Sequence, residues 1–131
     1  MTNGQTGAES YAVDPEKREL GLRKMEQAYG FSMQDGPGLH FRYTVEHLFG
    51  DIWQRPGLSM RDRRLLLLGV LTAQGGFDLA EIQLGAALQN EELDEEQMRE
   101  IAVFLCHYVG WPNGTKLDNA VSSVARKASK K

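Results

Sequence analysis

A single cysteine, four prolines and no apolar run approaching the ~18–20 residues that span a bilayer restrict what this 131-residue chain can be. Cys106 alone forbids a disulfide within one chain, a zinc site built from several thiolates, and the two-thiol chemistry of a peroxidase reductant. The first thirty residues hold no apolar stretch like that of a secretory signal, so a cytoplasmic protein that stays off the membrane is expected. Basic charge is not in excess either. Fifteen Lys and Arg against eighteen Asp and Glu leave a net charge of −3, and the pI is near 5.6. A nucleic-acid binder normally shows a strongly basic face, so none is expected as a partner. The chain also lacks a Gly-rich phosphate loop, a Ser/His/Asp signature and metal-ligand spacing. His40 and His47 lie seven apart with no carboxylate nearby, a weak metal signal. Neither a metal nor a cofactor is predicted.

What is present is an ordinary globular mix, 41% hydrophobic and 25% charged, at the length of one domain. Residues 1–13 are small and polar and read as a disordered lead-in. Residues 14–126 read as a single all-α domain, and residues 127–131, with Lys127, Lys130 and Lys131, as a basic solvated tail. Strand alternation is missing, and Asn113-Gly114 falls between helical segments rather than between strands.

Six helices are predicted. Asp14-Pro15 starts the first, Asp supplying a capping oxygen and Pro fitting the first turn, and Gly30 stops it. The second carries Phe41 to Trp53 and ends before Arg55-Pro56-Gly57, because the residue before proline avoids helical angles. Ser59 with Asp62 caps the third, which stops at Gly75-Gly76. Asp78 with Glu81 caps the fourth, and Asp94 with Gln97 the fifth, which ends at Gly110-Trp111-Pro112. The sixth begins at about Thr115.

In Leu65–Leu71 and Ile101–Val109 apolar residues surround the whole circumference, whereas a helix on a small monomer needs an apolar face of only about 100°. Their second faces are expected to pack on other subunits or line a cavity. The alternative is a central hydrophobic hairpin wrapped by the other four helices.

Polar residues stand out against this background. His107, in IAVFLCHYVGW, lies nearly opposite Met98 and toward Val103 and Phe104, so it points away from the helix's own domain. It is read either as a titratable group at a seam or as a structural histidine bonded to a backbone carbonyl. Cys106 reads as a small buried hydrophobe. Gln83 shares a helix face with Leu79, Ala80, Ala86 and Ala87, and a buried amide must be bonded, in a core network or to a ligand. Arg55, Arg61, Arg63 and Arg64 gather near Trp53 and a helix N-terminus, a combination suited to a carboxylate or simply to solvated charge.

The stretch Phe49-Gly50-Asp51-Ile52-Trp53-Gln54-Arg55-Pro56-Gly57-Leu58-Ser59 through Arg61-Asp62-Arg63 resembles the opening of the carboxymuconolactone decarboxylase family. Tyr108-Val109-Gly110-Trp111-Pro112 is similar to that family's Tyr-x-Gly-x-Pro ending. Ala86-Ala87-Leu88-Gln89-Asn90 and Glu95–Glu100 fit between them, so the resemblance covers roughly residues 45 to 125. It implies a six-helix all-α bundle with a central hydrophobic helical hairpin, assembled as a homo-oligomer, trimer or hexamer. It further implies a cofactor-free carboxy-lyase acting on a small-molecule carboxylate, in the named reaction 4-carboxymuconolactone. Family members with a Cys-x-x-Cys reduce hydroperoxides, but Gly76 and Leu79 stand at those two positions here. Where the family often has a histidine, ungapped alignment places Gln83, which can hydrogen-bond an oxygen but cannot deliver a proton. The roles this implies are Gln83 as oxyanion donor, His107 as proton donor, and Arg55 or Arg64 as carboxylate binder. Trp53 and Tyr108 complete the expected substrate-binding set. The alternative is a family member that binds a small molecule or assembles without the chemistry.

Overall fold

The computed structural model describes residues 11–130. Among these the chain is all-helical, with six α-helices and no strand: α1 (Pro15–Tyr29), α2 (Leu39–Arg42), α3 (Met60–Gln74), α4 (Phe77–Gln89), α5 (Glu95–Val109) and α6 (Trp111–Ser129). Of the described residues, 11–27 with 31–58 form one compact unit, and 28–30 with 59–130 form a second. The span read as a single domain runs through both.

Local chemistry sets most helix ends. Asp14 Oδ1 accepts from Lys17 N at 3.1 Å to open α1, and Gly30, at φ 83°, closes it. Ser59 Oγ accepts from Asp62 N at 3.0 Å. Asp94 and Gln97 complete a reciprocal box, each side chain satisfying the other's backbone N–H. Arg55 is extended ahead of Pro56, as its position requires.

Two predicted starts differ. α4 begins at Phe77 with Gly76 as its N-cap, and Asp78 lies inside the first turn without capping it. Gly75, left-handed at φ 76°, ends α3, and Gly76 N–H returns to Leu71 C=O, so the chain enters α4 with no residue to spare. α6 starts at Trp111, some four residues before the predicted Thr115. Gly110 (φ 100°) makes the break alone, and Pro112, in the first turn, lacks an N–H that no helix start needs.

In the first unit α2 is only four residues long. It widens into a π-type helix over Tyr43–Phe49 and tightens into a 3₁₀ turn at Ile52–Gln54. Gly21 faces the Val45 carbonyl so closely that no side chain fits there. Arg18, 2% exposed, holds the unit together. Its guanidinium donates to Asp35 (2.8 Å) and Glu46 (2.7 Å), and to the carbonyls of Tyr11 (3.2 Å) and Gly36 (2.6 Å). Glu46 also accepts the N–H groups of Val13 and Asp14. Tyr11 and Val13, at the end of the stretch read as a disordered lead-in, are therefore bonded, while residues 1–10 lie outside the described residues.

The second unit carries the main core, in which Leu68, Leu71, Ala80, Leu84, Ala87, Met98, Ala102, Leu117, Val121 and Val124 meet from α3–α6. α5 and α6 pair most extensively, with Gly114 set directly against Cys106. Cys106 is buried, as expected of a small hydrophobe. Lys127 lies in the last turn of α6, bonded to Glu81, rather than in a tail; Lys131 lies outside the described residues.

Neither all-round apolar helix is wrapped on every side. Leu66 and Val70 on α3, and Val103, Phe104 and Tyr108 on α5, are exposed in the single chain. No helix among the described residues is long and apolar enough to cross a membrane.

Candidate functional site

The helical period puts Arg64 on the same face of α3 as Leu68, Leu71 and Thr72, the buried face. A guanidinium there must find acceptors or the helix cannot pack. Arg64 finds three. Nε and Nη2 grip the two carboxylate oxygens of Glu92 at 2.6 and 3.0 Å, the forked geometry that an arginine makes best. Nη1 donates to the carbonyl of Ala28 at 2.5 Å and to Oε1 of Gln83 at 2.8 Å. The residue has no exposed surface. The expectation that Arg64 binds a substrate carboxylate is therefore corrected: Glu92 already occupies its fork.

Gln83 is 3% exposed and enters this array from α4. Its oxygen is spoken for by Arg64. Its Nε2 has no acceptor among the described residues, yet no sealed side-chain nitrogen or oxygen lacks a partner. The amide nitrogen therefore reaches accessible space. Of the two readings of Gln83, core network or ligand group, the bond from Arg64 shows the core network.

The other predicted residues are distributed elsewhere. His107 lies on the exposed side of α5, opposite the buried Met98, Ala102 and Cys106. Its Nδ1 is 2.8 Å from the Val103 carbonyl, which leaves Nε2 as the free ring nitrogen. Trp111 meets the imidazole edge-on at 5.1 Å, and Phe104 lies 5.0 Å from the ring of Tyr108, which is 76% exposed. No hydrogen bond joins His107 to Gln83 or Arg64 among the described residues. Trp53, stacked on Phe49 at 5.2 Å, and the exposed Arg55 belong to the first unit.

Arg61 donates to the Glu92 carbonyl at 3.0 Å. It lines a surface groove of about 440 Å³ with Leu65, Leu93, Glu96, Gln97, Glu100 and Ile101, none of them a predicted site residue. Glu81, expected to serve a cap, instead accepts from Ser123 (3.0 Å) and Lys127 (2.7 Å). The Lys127 bond, set against burial that pushes the other way, holds its carboxyl below the usual range. Among the described residues no three His, Cys, Asp or Glu side chains converge as metal ligands.

Sequence reasoning missed Glu92 and the Ala28 carbonyl. The spacing 64, 68, 71, 72 already marked Arg64 as an inward residue, but nothing in the sequence named its partners.

The chain is 32% identical over 69 residues to the nitrosuccinic acid decarboxylase npaB of Metarhizium robertsii, covering 53% of this chain and 48% of that protein. It is 31% identical over 64 residues to the 4-carboxymuconolactone decarboxylase of Acinetobacter baylyi, covering 49% and 47%. It thus spans about half the length of the curated relatives it matches. Over residues 39–122 the sequence matches the model of the carboxymuconolactone decarboxylase family. With a match over more than half its length, on an all-helical fold, the chain belongs to the carboxymuconolactone decarboxylase family.

Proposed function

We propose that this protein is a cofactor-independent decarboxylase of a small carboxylic acid or lactone, of the 4-carboxymuconolactone type that serves aromatic catabolism by the protocatechuate/β-ketoadipate route. The observation that carries the reading is the Gln83 amide, a neutral donor held by a buried arginine, its nitrogen without an acceptor among the described residues. Decarboxylation without a cofactor needs little more from a protein than such donors, because the substrate supplies the electron sink. The bond to the carboxylate breaks and CO2 departs. The electron pair moves onto a conjugated lactone carbonyl, or onto a nitro group in a nitrosuccinate. The oxygen that gains charge accepts a hydrogen bond from Gln83 Nε2, and the carbon then takes a proton. An amide donor already fixed by its bond to Arg64 stabilises that charge with little reorganisation.

Gln83 has no proton to give, so the acid must be another group, and His107 fits the role. Its Nδ1–H donates to the Val103 carbonyl, so Nε2 delivers a proton when the ring is the imidazolium and is left as the neutral Nδ1–H tautomer after the transfer. His107 stands on an exposed aromatic face with Phe104, Tyr108 and Trp111. A second copy covering that face, in a trimer or hexamer built about the two apolar helices as a central hairpin, brings the imidazole into a water-poor seam.

The test is CO2 release from 4-carboxymuconolactone and from nitrosuccinate, followed separately. Turnover of either is expected, and none from both overturns the reading. His107→Asn should lower turnover ~10²–10⁴-fold; an unchanged rate removes His107 from the mechanism. Sedimentation showing only monomer at every concentration would remove the seam. One observation favours a second reading, a binding protein without the chemistry: a glutamine cannot pass a proton. Saturable binding of the lactone with no CO2 would establish it.

A further inference from the structure

We infer that Arg64 is a positioning residue: it fixes which end of the Gln83 amide faces outward, so that the site presents a donor and never an acceptor. The inference rests on the reading of Gln83 as the oxyanion donor and adds how that donor is set and what class of ligand it admits. A primary amide can turn over about its last side-chain bond, exchanging oxygen for nitrogen at almost no cost in water. Beside Arg64 it cannot. A guanidinium has five N–H groups and no acceptor, so an inward-facing Nε2 would oppose donor to donor.

The guanidinium itself cannot turn away. Glu92 holds Nε and Nη2 (2.6 and 3.0 Å), and the Ala28 carbonyl shares Nη1 with Gln83. Glu92 is steadied in turn by Asn90 Nδ2 at 3.3 Å, and its backbone carbonyl accepts from Arg61. Residues of α1, α3 and the segment between α4 and α5 thus lock one amide of α4. The outward end is Nε2, which has no acceptor among the described residues and reaches accessible space from a side chain whose residue is otherwise buried.

Two consequences follow for specificity. Arginine stays charged across the whole working pH range, so the orientation of Gln83 does not change with pH, unlike that of a histidine or a carboxylate at the same place. The ligand atom admitted is an acceptor oxygen: a carboxylate, an enolate or a nitronate. An ammonium or a hydroxyl aimed there as a donor is rejected, because it would leave two donors facing each other with no acceptor between them.

The experiment is an NMR titration of the uniformly ¹⁵N-labelled full chain with succinate, following the Gln83 side-chain amide, assigned by its loss in Gln83→Met. In the wild type the amide signals should lie apart from those of exposed glutamines and shift with succinate equally at pH 6 and pH 8. In Arg64→Lys, which keeps the charge but loses the fork, they should move toward the exposed glutamines. Succinate should then bind about tenfold to a hundredfold more weakly. Gln83→Glu guards against a folding failure of the arginine variant. Its carboxylate keeps Arg64 paired and the fold intact, but it can only accept, so the succinate-induced shifts of the backbone amides around position 83, followed in the same spectra, should vanish. Unmoved amide signals in Arg64→Lys, or succinate binding retained in Gln83→Glu, would overturn the inference. The outcome separates from that of the proposed reaction. Amide signals that depend on Arg64 in a protein that releases no CO2 uphold the positioning and sink the decarboxylase. CO2 release unaffected by Arg64→Lys, with kcat and KM both retained, does the reverse.

Discussion

Each unit of this protein has a buried arginine at its centre, and the two are used differently. Arg18 faces two carboxylates and two carbonyls, with the rings of Tyr11 and Phe41 over its plane at 5.6 and 5.7 Å. Its partners are closed around it. Burial opposes the charge on both sides of the Arg18–Glu46 pair. The hydrogen bonds prevail, raising Arg18 and, with the Asp14 and Val13 N–H groups, holding the Glu46 carboxyl below its ordinary range. Arg64 has one carboxylate, one carbonyl and one amide, and the amide's nitrogen has no acceptor among the described residues. A guanidinium whose neighbours are all acceptors can only hold a fold together. One that binds an amide also orients the group on that amide's far side.

The comparison can be broken at several points. The largest effect should come from Arg18→Leu, which strands the buried Glu46 carboxylate; removing one partner of such a pair costs about 3–5 kcal/mol, measured by urea unfolding. Arg64→Leu should cost less, about 1–3 kcal/mol. It strands one carboxylate, Glu92, where Arg18→Leu strands two, Glu46 and Asp35. Equal costs for the two would show that Arg64 is as closed a staple as Arg18.

Acid sharpens the same contrast. Because the folded-state Glu46 carboxyl titrates below the ordinary 4.5, its contribution is complete above that value and fades as pH falls through the folded one. Glu46→Gln should therefore flatten the loss of stability below about pH 4.5, as read from urea midpoints across pH. An unaltered slope would mean that other carboxylates control acid unfolding. The smallest effect belongs to Lys127→Ala, about 1 kcal/mol or less and reduced by salt, since Lys127 is 69% exposed in its bond to Glu81.

How much of this was readable beforehand depends on the range of the interaction. The ends of α1, α3 and α5 were legible at Asp14, Ser59 and Asp94 because a cap is made by residues three apart. The start of α6 was misjudged because Trp111-Pro112 reads equally as the end of one helix and the opening of the next, and only the φ of Gly110 decides. The outward placement of His107 followed from a 100° step per residue. The inward placement of Arg64 followed from the same step but was hidden by its membership in a run of arginines that looked like solvated charge. Gln83 was identified as buried and necessarily bonded, but its partner was not named.

The sequence by itself thus determined the all-helical class, the apolar faces and the family, since each is written in residue spacing along one helix or in short motifs. Only the tertiary structure decided what Arg64 does. Its partners stand 19, 28 and 36 positions away, and a charge can be buried only where distant segments converge with acceptors already turned toward it. That convergence belongs to the packed chain and to no stretch of it.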